Sequence, residues 1–564
     1  MMSLMNSKLR CTPRAKVIKT SRILASALLI TFLAACSSSS GNNTDSTNTA
    51  GSAGSTDSDQ TTGTTGTAGT TDTAGATATV GTSDNGTSTN LVSASTLPTA
   101  NSDGQITWAF DAVASDVEVV VQPFVELPLA SNGAPARWNA MSSFDDRLFI
   151  VDEADGRVYE VNNNQAELWF DISTAIQLHT GRTLNIDNPL HSGVRGIAFH
   201  PDFQNNGKFY ASIMEQRPTD TTQHNYLSDN SGIDADSVLV EWTANTTSYE
   251  IDISSYRELF RVGVPQYDHP IKQIAFNPYL SSSDGDFGNL YIAHGDGSVE
   301  STLTGTGQAN DALGKILRIN PLQNGTEQYR IPADNPFIAD ASLPNEVYSY
   351  GHRNPHHLAF SFAGHLLATE AGRDNVEEIN LIRSGGNYGW ALREGAYVHL
   401  DSGTLLNGIG ALPADDAPNG FVYPAVQFGH HGGIGATFTG EALGGGYVVE
   451  NGSALDGQFF FIDFPKTGLL FHTGLSDILN ANTTGAPNEL TNAQSYIADV
   501  KFDHDKNPDT PALDNNLKQI VQSAPGYVNT NDRVDVRIFQ GPNGELYLTS
   551  KHNNMMYVIA NSLP

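Results

Sequence analysis

The stretch Gly351-His352-Arg353-Asn354-Pro355 sets a permanent cation beside a carboxamide at the end of an expected strand. Pro355 fixes its own φ and biases Asn354 toward extended backbone, so the Arg353-Asn354 pair is presented rigidly. Such a pair can grip an anionic, carbonyl-rich ligand. The same residues also read as a strand-terminal turn in which Arg353 pairs with a nearby carboxylate.

The elements that must carry this motif announce themselves by repetition. Beyond about residue 117, a small or turn-forming residue precedes Gly, then one residue, then an apolar or aromatic pair, as a tight turn feeding a strand does. The glycines of the six copies are Gly156, Gly207, Gly288, Gly364, Gly457 and Gly544, spaced 51 to 93 residues apart. Each interval has room for a four-stranded blade with loops. The pattern predicts an all-β fold, a six-bladed β-propeller of four-stranded antiparallel blades, with a pair of β-sandwiches as the alternative. Strands are also expected at Ile197-Ala198-Phe199, Ile274-Ala275-Phe276 and Leu358-Ala359-Phe360. Polar residues after the repeats, Glu215, His294, Asp296, Glu370 and Lys551, should converge on one face as a rim around a channel mouth.

Composition divides the rest of the chain. Residues 1–36 read as a lipoprotein signal peptide, with a basic start, an apolar run from Ile23 to Leu33 too short to span a bilayer, and Leu33-Ala34-Ala35-Cys36 as the cleavage box. Cys36 would be the lipidated residue; an uncleaved anchor or a plain secretory signal are the other readings. Residues 37–104 are rich in Ser, Thr and Gly and read as a disordered linker, leaving 105–564 for the propeller. The expected location is the cell envelope of a Gram-negative bacterium, periplasmic or at the outer membrane, with membrane contact only through the lipid. The second cysteine, Cys11, lies inside the signal, so disulfides, a cysteine zinc site and a c-type haem are excluded. A formal charge of −31 argues against nucleic acid as a partner.

Three separated segments then match something known: Gly193-Val194-Arg195-Gly196-Ile197-Ala198-Phe199-His200-Pro201-Asp202-Phe203, the Gly351–Pro355 stretch, and Glu378–Ile382 followed by Gly385-Gly386-Asn387-Tyr388-Gly389-Trp390. In that order they resemble the glucose/sorbosone dehydrogenase family, from about residue 136 to the C-terminus. The resemblance implies a six-bladed propeller that binds pyrroloquinoline quinone (PQQ) and Ca²⁺ and oxidises the C1 hydroxyl of an aldose or related polyol to a lactone. It implies His269 as the catalytic base with Asp268 orienting it, and Arg353, Asn354, Lys466, Arg533, Arg537 and His191 around the cofactor. The calcium donors would be the carbonyls of Gly372 and Arg373, with Glu377 and Glu378 at a second metal site. His430 and His431 resemble a substrate-side loop.

The chain departs from the family pattern at His191, where a glutamine is usual, and at Arg373, where a proline is usual. Electrons would pass to a separate acceptor. The competing expectation is a non-catalytic propeller that binds a glycan or a protein partner.

Overall fold

The computed structural model describes residues 81–82, 88–100, 102 and 106–563, less 163–164, 187–190, 222–223, 228–234, 266–267, 299–310, 341–342, 401–407, 430–440, 508–509 and 529–530. Cys36, the signal segment, most of the linker and His430-His431 lie outside the described residues.

Strand β1 (Val113–Glu126) precedes six strands that line the ring: β2 (Trp138–Phe144), β3 (Val194–Phe199), β4 (Ile271–Phe276) and β5 (Pro355–Phe360), each leading its own sheet, and β6 (Leu443–Val449) and β7 (Val536–Gln540), at the two ends of one sheet joined through β1. These lead strands pack in a closed circle, β2 on β3 and onward to β7, which returns to β2. Sheets stacked face to face around a circle are apolar on both faces, so the lead strands read as nearly continuous buried runs; every residue of β3 is buried. Each face between neighbouring sheets has its own core. Phe149, Phe199 and Trp242 meet between the first two, and Phe428, Phe461 and Phe471 between the fourth and fifth. The arrangement is the β-propeller that the repeats imply.

The circle is closed by β1. It pairs antiparallel with Met555–Ile559, completing the sheet led by β7, and parallel with Tyr496–Phe502 in the sheet led by β6. Val119 and Val121 enter the core between these two sheets, and Val125 enters the core between the last sheet and the first. A strand from the N-terminal side therefore ties the C-terminal sheets to the beginning of the ring.

Five of the six glycine turns lead into the second strand of a sheet, as at Gly207 before Lys208–Gln216 and Gly544 before Leu546–Ser550. Gly156 is out of phase. It precedes Arg157–Asn162, the third strand of its sheet, and the equivalent turn is Asp145-Asp146 between β2 and Arg147–Asp152. Asp145 has φ 47° there, a left-handed conformation that aspartate tolerates better than most side chains, so a search for glycine passes over it. Packing also begins before residue 105, where composition placed the boundary. Leu91–Ser93 pairs with Thr491–Ala493, and Trp108 and Phe110 are buried with Val376 and Tyr397.

Val121→Asp would place an unpaired carboxylate in the core at the closure. It should destabilise the protein by about 3 kcal/mol or more in chemical denaturation, whereas substitution at the exposed Val113 of the same strand should change stability by less than about 0.5 kcal/mol.

Candidate functional site

The site is set by strand register. β4 pairs antiparallel with Leu290–His294, with Ile271 opposite His294; continued past the strand ends, this register sets His269, two residues before Ile271, across from Asp296. His269 Nδ1 and Asp296 Oδ1 are 2.6 Å apart. In the next sheet Pro355 lies opposite Glu370, which sets Arg353 across from Gly372, and Arg353 Nη1 donates to the Gly372 carbonyl at 2.6 Å and the Ala371 carbonyl at 3.0 Å. Asp296 N–H donates to the Arg353 carbonyl at 2.8 Å, joining the two sheets at this point.

His269 takes a left-handed backbone with φ 54°, which costs roughly 1–2 kcal/mol for a side chain of this kind. The approach depends on Gly295: a Cβ there would meet His269 Cβ at 2.6 Å. Asp296 is buried and also accepts from Trp390 Nε1 at 2.9 Å and the Ser298 amide at 2.8 Å. Burial alone would push its carboxyl up, but His269, Arg353 and the Ser298 amide outweigh that and hold it below the usual carboxylate range. Burial moves the His269 imidazole the other way, below its ordinary value; Asp296 opposes the shift and the Arg353 charge adds to it. The Arg353 guanidinium lies over the Trp390 ring, 5.7 Å from its centre.

Asp268 does not orient His269. Its half-exposed carboxylate lies 3.5 Å from His191 Nε2, and Asp296, one of the rim residues read from the repeats, holds the imidazole instead. The chain neighbour loses because a residue adjacent to His269 cannot face its ring nitrogen as a residue on the paired strand can. His191 stands beside the group, its ring 6.1 Å from that of His269 and its Nδ1 2.6 Å from Lys272 Nζ.

Four carboxylates fix the loops around Arg353. Glu370 accepts from the Arg353 and Asn354 amides and pairs with His352 Nδ1 at 2.9 Å. Glu377 accepts from the Gly372 amide at 3.2 Å and the Leu443 amide at 2.8 Å. Glu378 accepts from the Gly395 amide at 2.6 Å and Asn380 Nδ2 at 3.0 Å, and burial, reinforced by Glu370, drives its carboxyl well above the usual range. Glu394 receives the amides of Arg373, Asp374, Asn375 and Val376 on a single oxygen. Trp390 ends one of the quoted motifs, though without a role read for it, and no motif includes Glu394.

The cofactors implied by the family can be set against these groups. Among the described residues Arg353 Nε is a buried donor without a partner, which fits an anionic or carbonyl oxygen, and Asn354 Oδ1 is a buried acceptor without one, which fits an N–H or O–H of a ligand. Of the groups that the resemblance gives to calcium, the Gly372 carbonyl accepts from Arg353, and each of the four oxygens of Glu377 and Glu378 accepts a hydrogen bond from the protein. Among the described residues no cluster of three or more His, Cys, Asp or Glu side chains is arranged for a metal.

Lys466 and Arg533 are committed elsewhere, Lys466 to Glu441 at 2.8 Å and Arg533 as a fork on Asp535. Arg537 is buried in the central channel, its guanidinium 4.3 Å from the centre of the Phe464 ring, and Phe464 in turn stacks on His356. Of the rim residues, Lys551 binds Glu153 at 2.7 Å and Glu215 binds Arg261 and Arg182. His294 turns its Nδ1 to the Gly295 carbonyl.

Glu394→Gln would weaken the clasp on the loop after Gly372, because an amide oxygen accepts more weakly than a carboxylate. Amide hydrogen exchange at Arg373–Val376 should quicken by about tenfold or more, with exchange in the β2 and β3 strands unchanged.

Residues 135–403 match the sequence model of the family described as Glucose / Sorbosone dehydrogenase. Among curated relatives, the chain is 28% identical to the HIPL1 protein of Arabidopsis thaliana over 315 residues, covering 49% of this chain and 43% of that one. It is 29% identical to quinoprotein glucose dehydrogenase B of Acinetobacter calcoaceticus over 259 residues, 44% of this chain and 48% of that one. Each match thus spans less than half of the relative's length. Among solved structures, the PQQ-bound form of aldose sugar dehydrogenase from Streptomyces coelicolor aligns over 78% of this chain and 96% of its own, with a TM-score of 0.46 and 19% identity. The stretch matched to that family model, residues 135–403, carries His269, Asp296, Arg353 and Asn354.

Proposed function

We propose that the protein is a quinoprotein dehydrogenase that oxidises a hydroxyl-bearing carbon of an aldose or related polyol, the C1 hydroxyl going to a lactone. The observation that carries the proposal is the buried His269–Asp296 pair beside Arg353 and Asn354, each of which has a buried polar atom without a partner. PQQ, when bound, supplies an acceptor for two electrons as a hydride from the sugar carbon. The chain's own residues supply the proton chemistry. Asp296 takes Nδ1 of His269, leaving Nε2 to remove the hydroxyl proton, and the carboxylate stabilises the imidazolium so formed. Arg353 brings a fixed positive charge to where negative charge develops, in a site from which burial excludes most water. His191 and Lys272 add donors on the far side of His269.

The proposal includes a separate electron acceptor and envelope location through a lipid on Cys36. The dehydrogenase reading draws on the family match over residues 135–403 and on the quinoprotein relative; the envelope location draws on the sequence of residues 1–36 alone. A second reading, a propeller that binds a glycan or protein without turnover, draws on Arg353, whose Nη1 is already engaged by two carbonyls.

Reconstituting the full chain with the quinone, with and without calcium, and following reduction of an artificial acceptor across a sugar panel separates the two. Turnover supports the dehydrogenase; neither quinone binding nor turnover leaves the second reading. His269→Ala should keep quinone binding while losing turnover. Asp296→Asn should lower kcat by roughly 10²–10⁴, and Asp268→Asn by less than about tenfold; equal losses would remove Asp296 from its role.

The base works unprotonated, and burial lowers its pKa. Activity should therefore rise with pH through a midpoint below the ordinary histidine value of about 6.5 and stay level above it. Asp296→Asn, by removing the opposing carboxylate, should move that midpoint lower still. For the anchor, Cys36→Ser should move the protein from the membrane pellet to the soluble fraction; retention in the pellet would refute lipidation there.

A further inference from the structure

The second residue of every lead strand lies at one level of the propeller channel: Asn139, Arg195, Lys272, His356, Gly444 and Arg537. All six line a single cavity of about 40 Å³. It has room for one small ion with a water or two, and none for an organic molecule. Three of the six are permanent or ordinarily charged cations, and no aspartate or glutamate is among the lining residues.

These cations are poorly compensated. Arg195, Lys272 and Arg537 are 3%, 4% and 5% exposed. The nearest carboxylate, Glu153, is shared by Arg195 at 2.7 Å, Lys551 at 2.7 Å and Arg137 at 3.4 Å. Arg537 donates from Nη1 to its neighbour's carbonyl, that of Val536, while Asp535 is held by Arg533 and His552. Lys272 Nζ meets the His191 Nδ1 nitrogen, and the half-exposed Asp268 carboxylate offsets its charge only in part. Arg195 Nε, Arg537 Nε, His356 Nδ1 and His357 Nε2 are buried without partners, and all four side chains line the same cavity. Buried donors and charges left this way are costly, and a bound counter-ion removes the cost.

We infer that the channel cavity holds one small monovalent anion of halide size, coordinated by Arg195, Lys272 and Arg537. The site adjoins the His269 group through Lys272 and His191, and the reading does not require that the protein turn over a sugar. The titration behaviour agrees with it. Burial and the charges of Arg195, Lys551 and Arg537 drive the Lys272 ammonium well below its ordinary range, and burial, opposed by Glu153, brings Lys551 down to about 7, so a negative ion would restore both charges.

A carboxylate reaching down from a ligand of the neighbouring site has the same chemistry, and two arms of one experiment distinguish the sources. Crystals of the full chain without quinone, soaked in sodium bromide, should show an anomalous peak within hydrogen-bond reach of Arg195, Lys272 and Arg537. The peak should persist when PQQ is added; its loss would give the channel to a carboxylate and overturn the free-ion inference, as would no peak in either arm. In solution, the wild type should melt roughly 2 °C or more higher in sodium chloride than in sodium gluconate at equal ionic strength. Arg537→Gln and Lys272→Met should each abolish the difference. If both variants fail to fold, the wild-type comparison and the bromide map still decide, and equal melting in the two salts overturns the inference.

Discussion

Closure of the ring is the constraint on which everything else rests. Six sheets can share one channel only if the last packs on the first, and the edge that would otherwise stand open is filled by β1, inserted between Tyr496–Phe502 and Met555–Ile559. Because an unpaired sheet edge exposes a row of backbone donors and acceptors, this insertion satisfies hydrogen bonds as well as burying Val119, Val121 and Val125. Once the circle is closed, the lead strands are held in parallel around the channel, and their beginnings all lie at the same end. The loops that carry His191, His269 and Arg353 come just before β3, β4 and β5, so closure delivers them to one place.

Closure also concentrates charge. The chain is acidic, with a formal charge of −31, yet the channel collects Arg195, Lys272 and Arg537, with Lys551 and Arg137 close by around Glu153. Carboxylates near the site play a different part. Glu370, Glu377 and Glu394 accept main-chain amides and act as clasps that hold the loop backbone, whereas Asp296 alone faces the imidazole. Rigid loops around an electropositive centre suit recognition of an anionic ligand, since little ordering remains to be done on binding.

The legible part of the site was what local sequence controls. Arg353 and Asn354 are adjacent and followed by proline, and they do stand at a strand start beside His269. The turn-plus-strand repeat marked five of the second strands, because glycine is the residue those turns need; it slipped at Asp145, where aspartate takes the left-handed backbone. The family resemblance implies Asp268 as the partner of His269, while the bond runs to Asp296 through pairing of β4 with Leu290–His294. The resemblance implies Glu377 and Glu378 at a second metal site, and in the structure their oxygens accept from amides and Asn380. The resemblance implies Lys466 and Arg533 around the quinone, and both are paired with nearby carboxylates, as surface cations of an acidic chain are.

By itself the sequence determined the all-β class, three of the strands that lead the sheets and the residue types able to do redox and acid–base chemistry. Those depend on hydrophobic period, turn residues and side-chain composition, which are local. Only the tertiary structure decided which carboxylate charges the histidine, which carbonyls the arginine meets and which cations share the channel. Each of those depends on register across a strand pair or on closure of the ring, and both are fixed by residues far apart in the chain: β1 meets strands nearly four hundred residues or more further on, at Tyr496–Phe502 and Met555–Ile559.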